Sequence, residues 1–294
     1  MKRTFLILSV LAFSFSLFAQ FGPPGPQSKV ETKVIHSKVL NAEREYNIFL
    51  PKSYETDVNK KYPVLYLLHG MMDTHLGWFM RGHLKDVADQ LIASNEMCEM
   101  IIVTPNAGGN VYEGAWNGYF DMPGWSYERF FFTEFVPHIE TTYRIIGDKQ
   151  HRAIAGLSMG GGGATSYGQR HSDMFTAVYA MSALMDIPET GAAPSQNADD
   201  KMAILTKSVQ ELSCVKYVTD ADEARKTQLR SVSWFVDCGD DDFLLDRNIE
   251  FTQAMRAAQI PCEFRVRDGG HTWEYWHSAL YTCLPYVTRC FLTK

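Results

Sequence analysis

Residues 151–166 read HRAIAGLSMGGGGATS, and this stretch constrains the fold more than any other. An apolar, strand-like run, Arg152–Gly156, leads into it, and a helix-length run, Gly160–Arg170, leads out. Glycine inside a helix costs about 1 kcal/mol relative to alanine. Yet Gly160, Gly161, Gly162 and Gly163 stand in a row where the helix should begin. Backbone this bare is expected where the chain turns sharply and then presses close against neighbouring strands. Gly156 and Gly160 also bracket Ser158 in a G-x-S-x-G pattern. Alone that pattern is common. Between a strand and a helix it is the setting of a nucleophile elbow, a turn too tight for side chains on the residues flanking the serine.

The rest of the chain repeats the strand–helix rhythm. Thr32–Leu40 and Glu45–Leu50 read as an antiparallel pair joined by a turn at 41–44. Tyr62–Leu68, Met100–Thr104, Phe175–Met181, Val232–Cys238 and Cys262–Arg267 read as buried strands. Leu84–Ser94, Tyr127–Tyr143, Ile249–Ala258 and Ser278–Phe291 have helical spacing. Such alternation predicts an α/β fold, with a mostly parallel sheet covered by helices on both faces. Residues 186–230 break the rhythm. This polar stretch, with helical pieces near Asp200–Leu212 and Ala221–Leu229, is expected to be a small insertion over the site. One domain, 29–294, is the simplest organisation.

Residues 1–19 read as a secretory signal: Lys2 and Arg3, then an uncharged apolar run from Phe5 to Ala19. An uncleaved anchor is the competing reading, though the run is short for a membrane span. Residues 20–28 form a Pro/Gly-rich tether. A secreted or periplasmic product with no stable membrane insertion is therefore expected. The formal charge is −6, and −8 without Lys2 and Arg3. That balance, with no Lys/Arg cluster, argues against nucleic acid as a partner. The six cysteines form no CxxC pair and have no histidine at zinc-ligand spacing, so no metal is expected. Buried thiols are as consistent with their apolar surroundings as disulfides are.

A serine hydroxyl needs a base, and behind an elbow the partners follow in the order serine, acid, histidine. The stretch DCGDDDFLLD, 237–246, opens at a strand end and offers Asp240, Asp241 and Asp242. Asp242 is favoured, Asp241 is second, and Asp240 reads as a solvated turn residue. GGHTWEYWH follows the last strand and places His271 within reach of Ser158. Two backbone N–H groups are expected to hold the oxyanion. One belongs to Met159, after the nucleophile, and the other to Met71, after His69 and Gly70.

These motifs together resemble the esterase-D/feruloyl-esterase branch of α/β-hydrolases, over about residues 29–294. The marks are LLHG at 67–70, Trp78, TPN at 104–106, GLSMGG at 156–161, CGDDDFL at 238–244 and GGHTW at 269–273. The resemblance implies an α/β-hydrolase fold and a serine carboxylic-ester hydrolase needing neither metal nor cofactor. It assigns Ser158 as nucleophile, Asp242 as acid and His271 as base.

For substrate the sequence offers the aromatic and amide-rich stretch 106–120, which suits stacking on sugars or on an aromatic acyl group. The candidate binding residues are Trp78, Asn106, Tyr112, Trp116, Trp125 and Trp273. The expected activity is removal of feruloyl or acetyl groups from plant cell-wall polysaccharide. The alternatives are a broad short-chain esterase, an S-formylglutathione hydrolase-like thioesterase, and an inactive hydrolase fold that only binds carbohydrate.

Overall fold

The computed structural model describes residues 27–188, 197 and 199–293. The expected signal, most of the tether and the middle of the 186–230 segment lie outside the described residues. Eight strands form the central sheet: β1 Lys29–Ser37, β2 Ala42–Leu50, β3 Val64–Leu68, β4 Ile101–Pro105, β7 Arg152–Leu157, β8 Ala177–Met181, β9 Ser233–Gly239 and β10 Glu263–Arg267. A separate ribbon pairs β5 Asp121–Met122 with β6 Trp125–Ser126. The sheet order is β1-β2-β4-β3-β7-β8-β9-β10. β2 pairs antiparallel with both of its neighbours, and from β4 to β10 every pairing is parallel. Parallel strands need crossovers, and those crossovers supply the helices that cover both faces.

Alternation within each buried strand divides the core in two. Val64, Tyr66 and Leu68 face one layer, while Leu65 and Leu67 face the other. The first layer receives the helical run through Tyr127–Phe130 and Val136–Thr142 (α2), and Met159–Arg170 (α3). Cys214–Thr219 (α5) and Leu245–Ala257 (α7) complete it. The second layer is filled by Leu84–Ala93 (α1) and Trp273–Leu292 (α8). Leu84, Val87, Ala88 and Leu91 form the buried stripe of α1, at helical spacing.

Several expected boundaries shift for identifiable reasons. The predicted single helix 127–143 is interrupted by a π-helical turn, Phe131–Phe135, which buries Phe131 and Phe135 and leaves Phe132 partly exposed. The last helix starts at Trp273 rather than Ser278, capped by Thr272 on the N–H of Tyr275. The helix expected from Ile249 starts at Leu245, because the Asp242 turn leads straight into it: the Leu245 N–H donates to the Asp242 carbonyl at 2.9 Å. The 186–230 segment contains three described helices: Lys201–Glu211 (α4), α5 and Glu223–Arg230 (α6). α5 was not anticipated. It buries Cys214 and Val218 in the helical layer, with Gln169 donating to the Cys214 carbonyl at 2.9 Å. This part of the segment therefore packs into the core.

Candidate active site

Ser158 occupies the turn from β7 into α3 with φ 54° and ψ −121°. A non-glycine residue held there is strained by about 1–3 kcal/mol. Its neighbours fix it. The Ser158 N–H donates to Met181 O at 2.9 Å, and its carbonyl accepts from Leu184 N at 2.9 Å and Gly162 N at 3.1 Å. The glycines are accounted for by what a β-carbon would strike. At Gly156 it would lie 2.3 Å from Gly160 O, and at Gly160 it would lie 2.4 Å from His69 O. At Gly162 it would lie 2.1 Å from Leu184 O, and at Gly163 it would lie 2.9 Å from the Tyr119 ring. Bareness lets α3 begin in backbone contact with the ends of neighbouring strands, where Ser158 is displayed.

The two distant partners meet it there. His271 Nε2 lies 2.9 Å from Ser158 Oγ, and His271 Nδ1 lies 2.9 and 3.1 Å from the two oxygens of Asp242. With Nδ1–H directed at the carboxylate, Nε2 is the nitrogen left to accept the serine proton. Burial alone would raise the Asp242 pKa. Hydrogen bonds from His271, from the Leu244 N–H and from Ser182 outweigh it and hold the carboxyl below the usual range. Ser182 is buried and in turn accepts from Trp276 Nε1 at 3.1 Å.

The acid and base loops are stitched together by backbone. A β-carbon on Gly239 would lie 1.9 Å from Gly269 O, and the Asp241 N–H donates to that same carbonyl at 3.1 Å. Asp241 itself is exposed. Asp240, expected to be a solvated turn residue, accepts the Gly269 N–H at 3.0 Å and so joins the two loops.

The loop after β3 lies against the nucleophile, since a β-carbon on Gly70 would lie 3.5 Å from Ser158 Cβ. Met71 follows, and its N–H donates to no backbone acceptor. Met159 is the first residue of α3, a position whose N–H has no partner within the helix. Among the described residues, neither N–H is bonded to a backbone acceptor. His69 organises this loop, in a way its motif did not disclose. Its Nε2 accepts the Ala107 N–H at 2.9 Å, so Nδ1–H donates to Gly70 O at 2.8 Å. Burial pushes its pKa down to about 4, which the Gly70 bond only partly opposes. This neutral imidazole ties the β3 loop to the β4 loop, and Tyr119 OH donates to its carbonyl at 2.9 Å.

The expected substrate residues divide. Trp78 is a correction: it is 0 % exposed, with Nε1 bonded to Leu68 O at 3.1 Å, so it packs beneath the site and cannot touch a substrate. Trp273 stands edge-on to both Trp78 and Trp276, with Arg81 over its ring. Tyr112 projects into solvent, 71 % exposed. Asn106 and Trp116 do come together, lining a cleft of about 620 Å³ with Thr74, Arg44 and Lys201. Trp125 is a second correction: it borders the cleft but is 6 % exposed, packed on Tyr127 with Nε1 donating to Gly118 O at 3.0 Å, so it supports Trp116 from behind. Phe243 was not anticipated. It is 76 % exposed, and its ring centroid lies 4.5 Å from that of His271. Its only signal in the sequence was an apolar residue directly after the acid.

All six cysteines are free thiols. Among the described residues no group of three or more His, Cys, Asp or Glu side chains could hold a metal, and no helix is long and apolar enough to cross a membrane. The family model Esterase ("Putative esterase") matches residues 37–287. A solved structure of a ferulic acid esterase is 72% identical, with a TM-score of 0.87 over 90% of this chain and 99% of that one. An endo-1,4-beta-xylanase/feruloyl esterase of Xylanibacter ruminicola is 27% identical over 80% of this chain, which spans 28% of that relative's length. An acetyl esterase of Caldicellulosiruptor saccharolyticus is 21% identical over 86% of this chain and 96% of its own.

Proposed function

The chain belongs to the esterase family, and on that premise we propose that it is an exported serine carboxylic-ester hydrolase that removes feruloyl groups from plant cell-wall polysaccharide. The observation that carries the chemistry is the position of His271, 2.9 Å from Ser158 Oγ on one side and 2.9 Å from Asp242 on the other. Ser158 attacks the ester carbonyl as His271 Nε2 takes its proton. Asp242 holds the imidazole orientation and stabilises the cation that forms. The Met71 and Met159 N–H groups receive the oxyanion. His271 returns the proton to the leaving alcohol oxygen, then deprotonates the water that releases the acid from Ser158.

The feruloyl assignment is supported by the 72% identity to a ferulic acid esterase and by Phe243, an exposed ring beside the base on which an aromatic acyl group can stack. Export is supported by Lys2 and Arg3 ahead of the uncharged run from Phe5 to Ala19. Removal of acetyl groups is the second reading, supported by the acetyl esterase relative that aligns over nearly its whole length.

The test is turnover of methyl ferulate, acetylated xylan and p-nitrophenyl butyrate by the unaltered enzyme and by Ser158→Ala. The expected result is preference for methyl ferulate, with kcat lower by about 10⁴ or more in the variant. Hydrolysis of the aliphatic ester alone would reject the feruloyl assignment. Activity surviving in the variant would reject the mechanism.

A further inference from the structure

The cleft that follows β4 carries a charge pattern that an ester hydrolase does not need. Trp116 and Trp125 stack at a 14° interplanar angle, centroids 6.3 Å apart. A cation covers each ring: Lys201 Nζ lies 5.0 Å from the Trp116 centroid, and the Arg44 guanidinium carbon lies 5.2 Å from that of Trp125. Lys201 also donates to Gly114 O, and Arg44 Nε donates to the Glu43 carbonyl at 2.6 Å. Among the described residues neither cation pairs with a carboxylate. Of the acids adjacent along the chain, Glu43 is engaged by His36 at 2.8 Å and Asp200 caps the Met202 and Ala203 N–H groups, while Glu45 forms no ion pair with Arg44. The terminal nitrogens of Arg44 have no acceptor among the described residues. The enzyme as a whole is acidic, with formal charge −6, so two half-buried, unpaired cations in one cleft are a local reversal of sign.

We propose that this cleft is a subsite for a uronic acid on the polysaccharide, with the sugar ring against the half-buried Trp116, which Trp125 backs, and its carboxylate between Arg44 and Lys201. Aromatic faces take the apolar face of a pyranose, and fixed cations beside them select a carboxylate. A neutral xylose or arabinose would leave both cations without a counter-charge. The acyl group cannot supply that charge, since its carboxyl is esterified until the reaction is over. The cleft is close to the chemistry. Thr74 lines it, and Met71, beside Ser158, is three residues away in the same loop. Consecutive Cα atoms are 3.8 Å apart, so the two positions are separated by at most about 11 Å. A volume near 620 Å³ lies within the range of small-ligand sites. The inference rests on the alcohol side of the ester being a carbohydrate, as proposed above.

The experiment uses the full chain carrying Ser158→Ala, so that ligand survives the titration. Three oligosaccharides of matched length are titrated calorimetrically: a neutral xylo-oligosaccharide, the same backbone carrying one glucuronic acid, and an oligogalacturonide. The expected result is at least about tenfold tighter binding of one acidic sugar than of the neutral one. That preference should vanish when Arg44→Gln and Lys201→Gln are added. It should also shrink several-fold between about 20 and 500 mM salt, a measurement that needs no further variant. Which acidic sugar is preferred identifies the source of the carboxylate. Equal affinity for all three, or a preference that survives both substitutions or high salt, overturns the inference. Failure of the unaltered enzyme to hydrolyse methyl ferulate would instead overturn the reading it rests on.

Discussion

The Ser158 end of the sheet and the cleft behind β4 lie a few residues apart and are built on opposite plans. Around Ser158 the polar groups are engaged and the backbone is over-determined. Three backbone hydrogen bonds hold a strained φ of 54°, three donors converge on the Asp242 carboxyl, and the acid and base loops are stitched by Gly269. In the cleft, Arg44 and Lys201 rest on tryptophan faces and keep unused charge. Proton transfer requires atoms fixed to within fractions of an ångström before substrate arrives, whereas recognition of a variable polymer requires groups still wanting partners. On the proposed reading, the difference separates the catalytic half of the site from the half that selects.

Experiments can break or sharpen that division. The largest effect should come from Asp242→Asn, which preserves shape but removes the charge that orients His271. kcat on methyl ferulate should fall by about 10³–10⁴ with little change in KM, measured by steady-state kinetics. A fall below tenfold would mean that the relay is not over-determined. Gly162→Ala tests the packing beneath it. In an unobstructed helix the change would stabilise by about 1 kcal/mol. Here the new β-carbon would lie 2.1 Å from Leu184 O, so the expected result is a loss of about 2–3 kcal/mol, seen as a melting temperature about 5–10 °C lower.

His69 supplies a pH signature. Its folded pKa is about 4, below the unfolded value of 6.5, so the unfolded chain binds the proton first as pH falls. The associated stability is fully present above pH 6.5 and is lost progressively toward about pH 4, on the order of 3 kcal/mol in all. His69→Gln should flatten that part of the melting profile. An unchanged slope would show that the neutral imidazole does not bridge the loops. Asp242 follows the other familiar case. Its depressed carboxyl contributes stability above the unfolded carboxylate pKa, and that contribution is lost as pH falls through the lower folded value.

The smaller effects concern positioning and selection. Ser182→Ala removes one donor from Asp242. kcat should fall about tenfold, and the acid limb of the pH–rate profile should move upward, which a purely structural role would not produce. Trp116→Ala should raise KM for a ferulated oligosaccharide about three- to tenfold and leave kcat within twofold. A comparable loss in kcat would erase the distinction between the two regions.

The sequence carried the architecture well. Near-continuous apolar runs marked buried parallel strands because both faces of such strands are covered. The elbow was legible because a glycine on each side of a serine has few other uses between a strand and a helix. Features that depend on several segments at once were less legible. Nothing local distinguishes Trp78, sealed under the sheet edge, from Trp116, open on a cleft. The insertion looked uniformly polar, yet α5 buries Cys214 and Val218 against helices whose positions the local sequence does not give.

By itself, then, the chain determined its periodicities, its bare turn and its candidate nucleophile, because these follow from the conformational limits of neighbouring residues. Tertiary structure decided the rest. It turned Asp242 rather than Asp241 toward His271, and made His69 a neutral bridge between two loops. It also brought Arg44 from the second strand and Lys201 from a distant helix onto one aromatic stack. Each of those outcomes depends on which groups are desolvated together, and desolvation is a property of the assembled fold.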